Sequence, residues 1–245
     1  MSIKKDWAAK VVKREKVANK TYELTVSKPE GFKYEVGQYV NFKFPEPYFE
    51  TEDNMMRPLS IASHPEEDVL KFVVRESESD FKKMYKEIKT GDPVSLFGPL
   101  GNFIPVEIPK DQNIALLISG IGIAPVLPFF KKLKDEKHEG KIKLFYSNRT
   151  PDIVTYDKEL ENYPLGDNYE YIKVLTGVQK RIDGDFIENH VKNLNDYVYY
   201  IVGTKEFIKS MRVALKDKGV DNKKVKIDKI LIDKVYFFSL NLSIK

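Results

Sequence analysis

Leu116-Leu117-Ile118-Ser119-Gly120-Ile121-Gly122-Ile123-Ala124-Pro125 runs from an unbroken apolar stretch into a glycine-spaced turn and then a proline. A short apolar run closed by turn residues reads as a buried strand. Glycines let the backbone approach a neighbour closely, and a proline can open a helix without forfeiting a hydrogen bond. The free N–H groups and positive dipole end of such a helix suit a pyrophosphate. Bare, the pattern is shared by nucleotide-binding loops and tight structural turns. Pro125 also stands where the common Gly-x-Gly-x-x-Gly fingerprint has its third glycine.

Downstream of this stretch, apolar runs alternate with amphipathic segments. Strands are expected at Ile114 to Ser119, Ile142 to Ser147, Tyr171 to Leu175 and Val198 to Gly203, with helices from Pro125 to about Lys137, near Tyr156 to Asn162 and from Lys205 to Lys218. Nearly continuous apolar strands alternating with helices imply an α/β domain whose parallel sheet is covered on both faces. Upstream the character differs. Trp7 to Val17, Thr21 to Ser27, Gln38 to Phe44, Leu59 to Ala62, Val69 to Val74 and Pro93 to Phe97 are short, β-branched and aromatic, with Asn19, Pro29-Glu30-Gly31 and Gly37 between them. This pattern implies a six-stranded antiparallel β-barrel. One helix interrupts it, opening at Ser79-Asp80-Phe81, with Phe81, Met84, Tyr85 and Ile88 at helical spacing and Gly91 beyond its end. The change of character falls in the proline-rich segment Pro99 to Asp111, so the expected domains are 1–106 and 107–245.

The chain has 245 residues, 42% hydrophobic and 32% charged, with a formal net charge of +4. That charge is too small and too evenly interspersed to argue for nucleic acid. No cysteine is present, which excludes disulfides, thiolate catalysis and thiolate-held iron–sulfur clusters within the chain. His64, His138 and His190 lie apart, none at metal-ligand spacing, so no metal site is expected and all three read as structural or surface. The beginning Met1-Ser2-Ile3-Lys4-Lys5-Asp6 lacks the apolar core of a signal peptide, and no run reaches the ~18 apolar residues of a membrane span. A cytoplasmic location without a membrane span is the expectation.

Two further motifs precede the glycine turn. Arg57-Pro58-Leu59-Ser60-Ile61-Ala62-Ser63 is a strand with one arginine at its start: a surface charge on the bland reading, an arginine fork on a phosphate on the functional one. Phe97-Gly98-Pro99-Leu100-Gly101-Asn102-Phe103 is by itself a loop. The sequence of an Arg-x-x-Ser strand, a serine-capped helix, Gly-Pro-x-Gly-x-Phe, Ser-Gly-Ile-Gly-Ile-Ala-Pro and a late Val-Gly-Thr resembles the ferredoxin–NADP⁺ reductase superfamily across residues 7 to 228, in particular its compact members without a fused iron–sulfur domain.

That resemblance implies bound FAD and a reduced nicotinamide dinucleotide, NAD(P)H, as hydride donor. It places Arg57 on the flavin pyrophosphate, Pro58 in the same strand, Leu59 against the isoalloxazine, and Ser60 near flavin N5 as the one catalytic residue. Val74 and Arg75 then line the flavin chain, and Ser79 and Asp80 offer hydroxyl and N–H groups to flavin phosphate. Gly120, Ile121, Gly122, Ile123, Ala124 and Pro125 cradle the dinucleotide; Ser147, Asn148 and Arg149 reach its adenosine ribose; Gly203 and Thr204 sit near the nicotinamide.

The departures from the family pattern shape the remaining expectations. Leu59 replaces a ring-stacking aromatic, Ser119 begins the usual glycine pair, and Val202-Gly203-Thr204-Lys205 stands for Cys-Gly-Pro-Pro, so no thiol lies near the nicotinamide. Thr176-Gly177 occupies the place of the Ser-Arg pair of NADPH-selective members, which favours NADH, although Arg149 could meet a 2′-phosphate. The tail 229–245 admits an extra strand or dimer contact, the preferred reading, or a flavin cover from Tyr236 or Phe237. The expected activity is hydride transfer from NAD(P)H to FAD and onward to a separate acceptor protein such as ferredoxin. Its alternatives are a reductase of free flavin or ferric chelates and a flavin-binding subunit without turnover of its own.

Overall fold

The structure, a computed structural model, describes residues 5–44, 56–228 and Ile230. The readings of the tail as a strand, dimer contact or flavin cover fall on residues outside these. The chain divides into two compact units. Of the described residues, one holds 5–44, 56–104 and Ala124–Phe129; the other holds Pro105–Ile123 and Phe130–Asp228.

In the first unit six strands, β1 (Lys5–Ala18), β2 (Thr21–Ser27), β3 (Tyr39–Lys43), β4 (Met56–Ser60), β5 (Val69–Arg75) and β6 (Pro93–Leu100), pair antiparallel in the order β4-β3-β6-β1-β2-β5. The Ala62 N–H donates to Lys71 O at 2.8 Å, linking the segment after β4 to β5 and drawing the two ends of that order together. Alternation sets the faces: on β1, Trp7, Ala9 and Val11 are buried while their neighbours are exposed. The interior is aromatic, with Phe42 5.3 Å from both Phe44 and Phe72. Helix α1 (Asp80–Glu87) closes it, burying Phe81 and Tyr85 one turn apart, and the Tyr85 hydroxyl donates to Phe72 O at 2.5 Å. Each of those rings contributes roughly 1.5–3 kcal/mol of apolar burial, which anchors the helix whose first turn matters below.

The second unit is a five-stranded parallel sheet in the order β11-β10-β7-β8-β9, from β7 (Asn113–Ser119), β8 (Ile142–Asn148), β9 (Tyr169–Leu175), β10 (Tyr197–Val202) and β11 (Val225–Ile227). Ile114 through Ile118 are all buried, as a strand covered on both faces requires. Helices α2 (Val126–Asp135), α3 (Asp157–Glu161), α4 (Gly184–His190) and α5 (Lys205–Asp217) connect the strands. Helix α4 and strand β11 add to the expected elements. No helix among the described residues is long and apolar enough to cross a membrane.

Candidate functional site

The first unit gathers positive charge around the start of α1. β4 lies at one end of the strand order, where a proline that cannot donate to a ladder is tolerated. In the β3–β4 register Phe42 faces Arg57, Asn41 faces Pro58, Val40 faces Leu59 and Tyr39 faces Ser60. The Arg57 guanidinium donates to Met56 O at 2.7 Å and lies 5.6 Å from the ring centroid of Phe81, in the first turn of α1. At the end of β5, Arg75 Nε donates to Thr21 Oγ1 at 3.2 Å. Burial, then the positive fields of Arg75 and Arg57, hold the Lys82 ammonium below its ordinary pKa, so three cations share one neighbourhood.

Ser79 caps α1 in an extended conformation without a side-chain cap bond; its hydroxyl lies 3.4 Å from that of Ser77. Lys82 N–H and Lys83 N–H donate to Ser79 O at 2.9 and 3.0 Å, which leaves the N–H groups of Asp80 and Phe81 at the helix start, and with the dipole and the three cations these suit an anion. Leu59 and Ser60 are half-buried, Leu59 packing at the margin of the core. Val74 is different: its side chain is 3% exposed and belongs to the core, where it is not presented to a ligand.

In the second unit the strand order reverses at β7, which lies between β8 and β10. Open α/β sheets bind ligands at the carboxyl ends of the strands flanking such a reversal. Both glycine motifs stand there. Gly120–Ile123 forms a single 3₁₀ turn directly after β7. A Cβ on Gly122 would lie 2.9 Å from the carbonyl carbon and oxygen of Val202, the last residue of β10. A Cβ on Gly203 would strike the Ser119 hydroxyl and meet Phe207 Cδ1 at 2.9 Å. Their glycine character is thus set first by the tight approach of the β7 and β10 ends to one another. Ile123, Ala124 and Pro125 are buried, whereas Ile121 and Gly122 remain partly exposed. Thr204 caps α5, its hydroxyl accepting from Phe207 N–H at 3.2 Å, so this side chain already has a structural task beside the one expected for it.

At the end of β8, Ser147 and Asn148 are buried and Arg149 is exposed. Asn148 O accepts from Thr176 N–H at 2.8 Å, and Arg149 O from Gly177 N–H at 2.9 Å, tying the β8 end to the β9 end. Among the described residues the Asn148 amide nitrogen and oxygen, the Thr155 hydroxyl and the Ser119 hydroxyl are buried without a hydrogen-bond partner. Unmet buried polar groups cost about 1–3 kcal/mol each, and a ligand or water that meets them recovers that energy. Lys82, Tyr146 and Thr155 were absent from the sequence reading. The lysine could have been noticed one turn into a serine-capped helix, but the other two carry no local signal.

A model of the FAD-binding domain matches residues 6–142, more than half of the chain, and one of the oxidoreductase NAD-binding domain matches residues 116–213. This chain belongs to the ferredoxin–NADP⁺ reductase superfamily. It thus carries an FAD-binding domain and an oxidoreductase NAD-binding domain. The flavohemoprotein of Candida norvegensis is 25% identical over 222 residues, covering 88% of this chain and 56% of that protein. One subunit of the Na(+)-translocating NADH-quinone reductase of Haemophilus influenzae is 24% identical over 276 residues, covering 91% of this chain and 67% of that protein. The chain spans about half the length of the flavohemoproteins it matches. In fold, the superfamily member of Neisseria gonorrhoeae, a ferredoxin NADP⁺ reductase crystallised with FAD and NADP, superposes with a TM-score of 0.78 at 19% identity, covering 91% of this chain and 97% of its own.

Proposed function

We propose that this chain takes a hydride from NADH onto FAD and delivers the electrons to a separate acceptor protein. The observation that carries the reading is the close approach of Gly122 to Val202 and of Gly203 to Ser119 at the reversal of the parallel strand order, in a chain with an FAD-binding domain. When bound, FAD accepts two electrons together and can release them singly.

The chain's own residues bind and orient. Arg57, Arg75 and Lys82 with the Ser79-Asp80 turn hold the flavin pyrophosphate, which fits their shared positive field. Pro58 and Leu59 present an aliphatic face to the ring, and Ser60 offers its hydroxyl at N5. Residues 120–125 seat the dinucleotide pyrophosphate, Ser147, Asn148 and Arg149 its ribose, and Gly203 and Thr204 its nicotinamide end. The preference for NADH rests on Thr176, whose hydroxyl bonds Asn148 O at 3.3 Å where NADPH-selective members carry a serine–arginine pair. The lack of cysteine supports delivery to another centre, since these residues can hold no iron–sulfur relay of their own. A cytoplasmic setting is part of the proposal.

Steady-state oxidation of NADH and of NADPH, with a ferredoxin, free flavin or a ferric chelate as acceptor, tests donor and acceptor together. The expected result is a higher kcat/KM for NADH and faster turnover with the protein. Equal or faster turnover with free flavin or chelate would replace the acceptor assignment. A colourless protein that oxidises neither donor would favour a binding subunit.

A further inference from the structure

Tyr146 is wholly buried on β8, yet its hydroxyl reaches two segments far apart in the chain. It donates to Gly120 O at 2.9 Å, at the start of the glycine turn, and accepts from Thr155 N–H at 3.4 Å, in the loop between β8 and α3. A phenol can do both at once. The loop is fixed on its other side by Asp157, which accepts from the Tyr171 hydroxyl at 2.8 Å and from Lys173 Nζ at 2.8 and 3.1 Å. Side chains two apart on a strand share a face, so the buried, unpartnered Asn148 amide lies on the Tyr146 side of β8, and Thr155 carries a second unpartnered hydroxyl.

We infer that Tyr146 is a positioning residue for the dinucleotide, holding the glycine turn in register with the β8–α3 loop. The inference rests on the reading of residues 120–125 and 147–149 as the dinucleotide seat. Tyr146 touches no part of the ligand. It sets the spacing between the segment that takes the pyrophosphate and the segment that takes the ribose, and the unpartnered groups of Asn148 and Thr155 are the hydrogen-bonding capacity kept in place by that spacing. Loss of the hydroxyl should therefore weaken binding of the donor more than it slows transfer once the donor is bound.

The test compares Tyr146→Phe with Tyr199→Phe in the flavin-loaded protein. Tyr199 is equally buried and donates to Leu194 O at 2.9 Å, so its variant removes the same kind of bond away from the turn. Tyr146→Phe should raise the KM for NADH about three- to tenfold with kcat within about twofold and flavin content unchanged; Tyr199→Phe should leave KM within about twofold. An unchanged KM in Tyr146→Phe, or equal increases in both variants, would overturn the positioning role while saturable NADH oxidation by the wild type upholds binding of the donor itself. A wild type that oxidises neither NADH nor NADPH would remove the seat and the inference together. Amide hydrogen exchange of the wild type with NAD⁺ gives an independent reading: protection should rise together at residues 120–123 and at Thr155, and protection of one segment alone would overturn the coupling.

Discussion

Arg57 illustrates what a single position discloses. Its place at the start of a strand, followed by Pro58-Leu59-Ser60, was visible in the chain; its surroundings were not, because Phe81, Arg75 and Lys82 come to it only when the two ends of the strand order, β4 and β5, are drawn together and α1 docks. On the proposed phosphate role, Arg57→Ala should raise the flavin dissociation constant about tenfold or more, the loss of one charge-assisted hydrogen bond of roughly 1.5–3 kcal/mol. Flavin absorbance after exhaustive dialysis measures it, and full retention would remove Arg57 from the phosphate. Gly122 shows the opposite limit. The glycine pattern was legible, but the reason for the second glycine lies in Val202, which meets it only in the folded sheet. A larger residue there therefore disturbs the strand end as well as any ligand, and its effect on activity cannot by itself assign the turn.

Elements were legible in proportion to their length and periodicity. The antiparallel strands, the parallel run from β7 to β10 and the longer helices follow from alternation and from apolar spacing. Helix α4 did not declare itself: its seven residues, Gly184–His190, include Gly184, Asp185 and Asn189, poor helix formers, and it stands on the Asp183 cap, which accepts from Phe186 N–H at 2.8 Å, and on the buried Ile187. The three residues of β11 are too few to show a period and form a strand only by pairing with β10. Helix α5 was expected from its spacing, whereas the work of Thr204 at its cap was read as ligand chemistry alone. Thr204→Ala should lower stability by about 1 kcal/mol, and Thr204→Ser should restore it. Thermal unfolding of both variants measures this. An unchanged midpoint in the alanine variant would mean that the cap contributes nothing.

At the scale of the molecule, two units of different architecture divide the labour: an antiparallel sheet with a cationic helix start in one, and a parallel sheet with two glycine approaches at its reversal in the other. Order of motifs along the chain conveyed the two architectures before any geometry did, because each motif lies on or beside an element of its own sheet. The proposed hydride transfer draws on residues of both units, and its most direct measurement is the flavin spectrum on anaerobic mixing with a single equivalent of NADH. The oxidised flavin band should bleach at a rate that saturates with NADH concentration, and more readily than with NADPH. A flavin that stays oxidised with both donors, in protein that retains its FAD, would contradict the account.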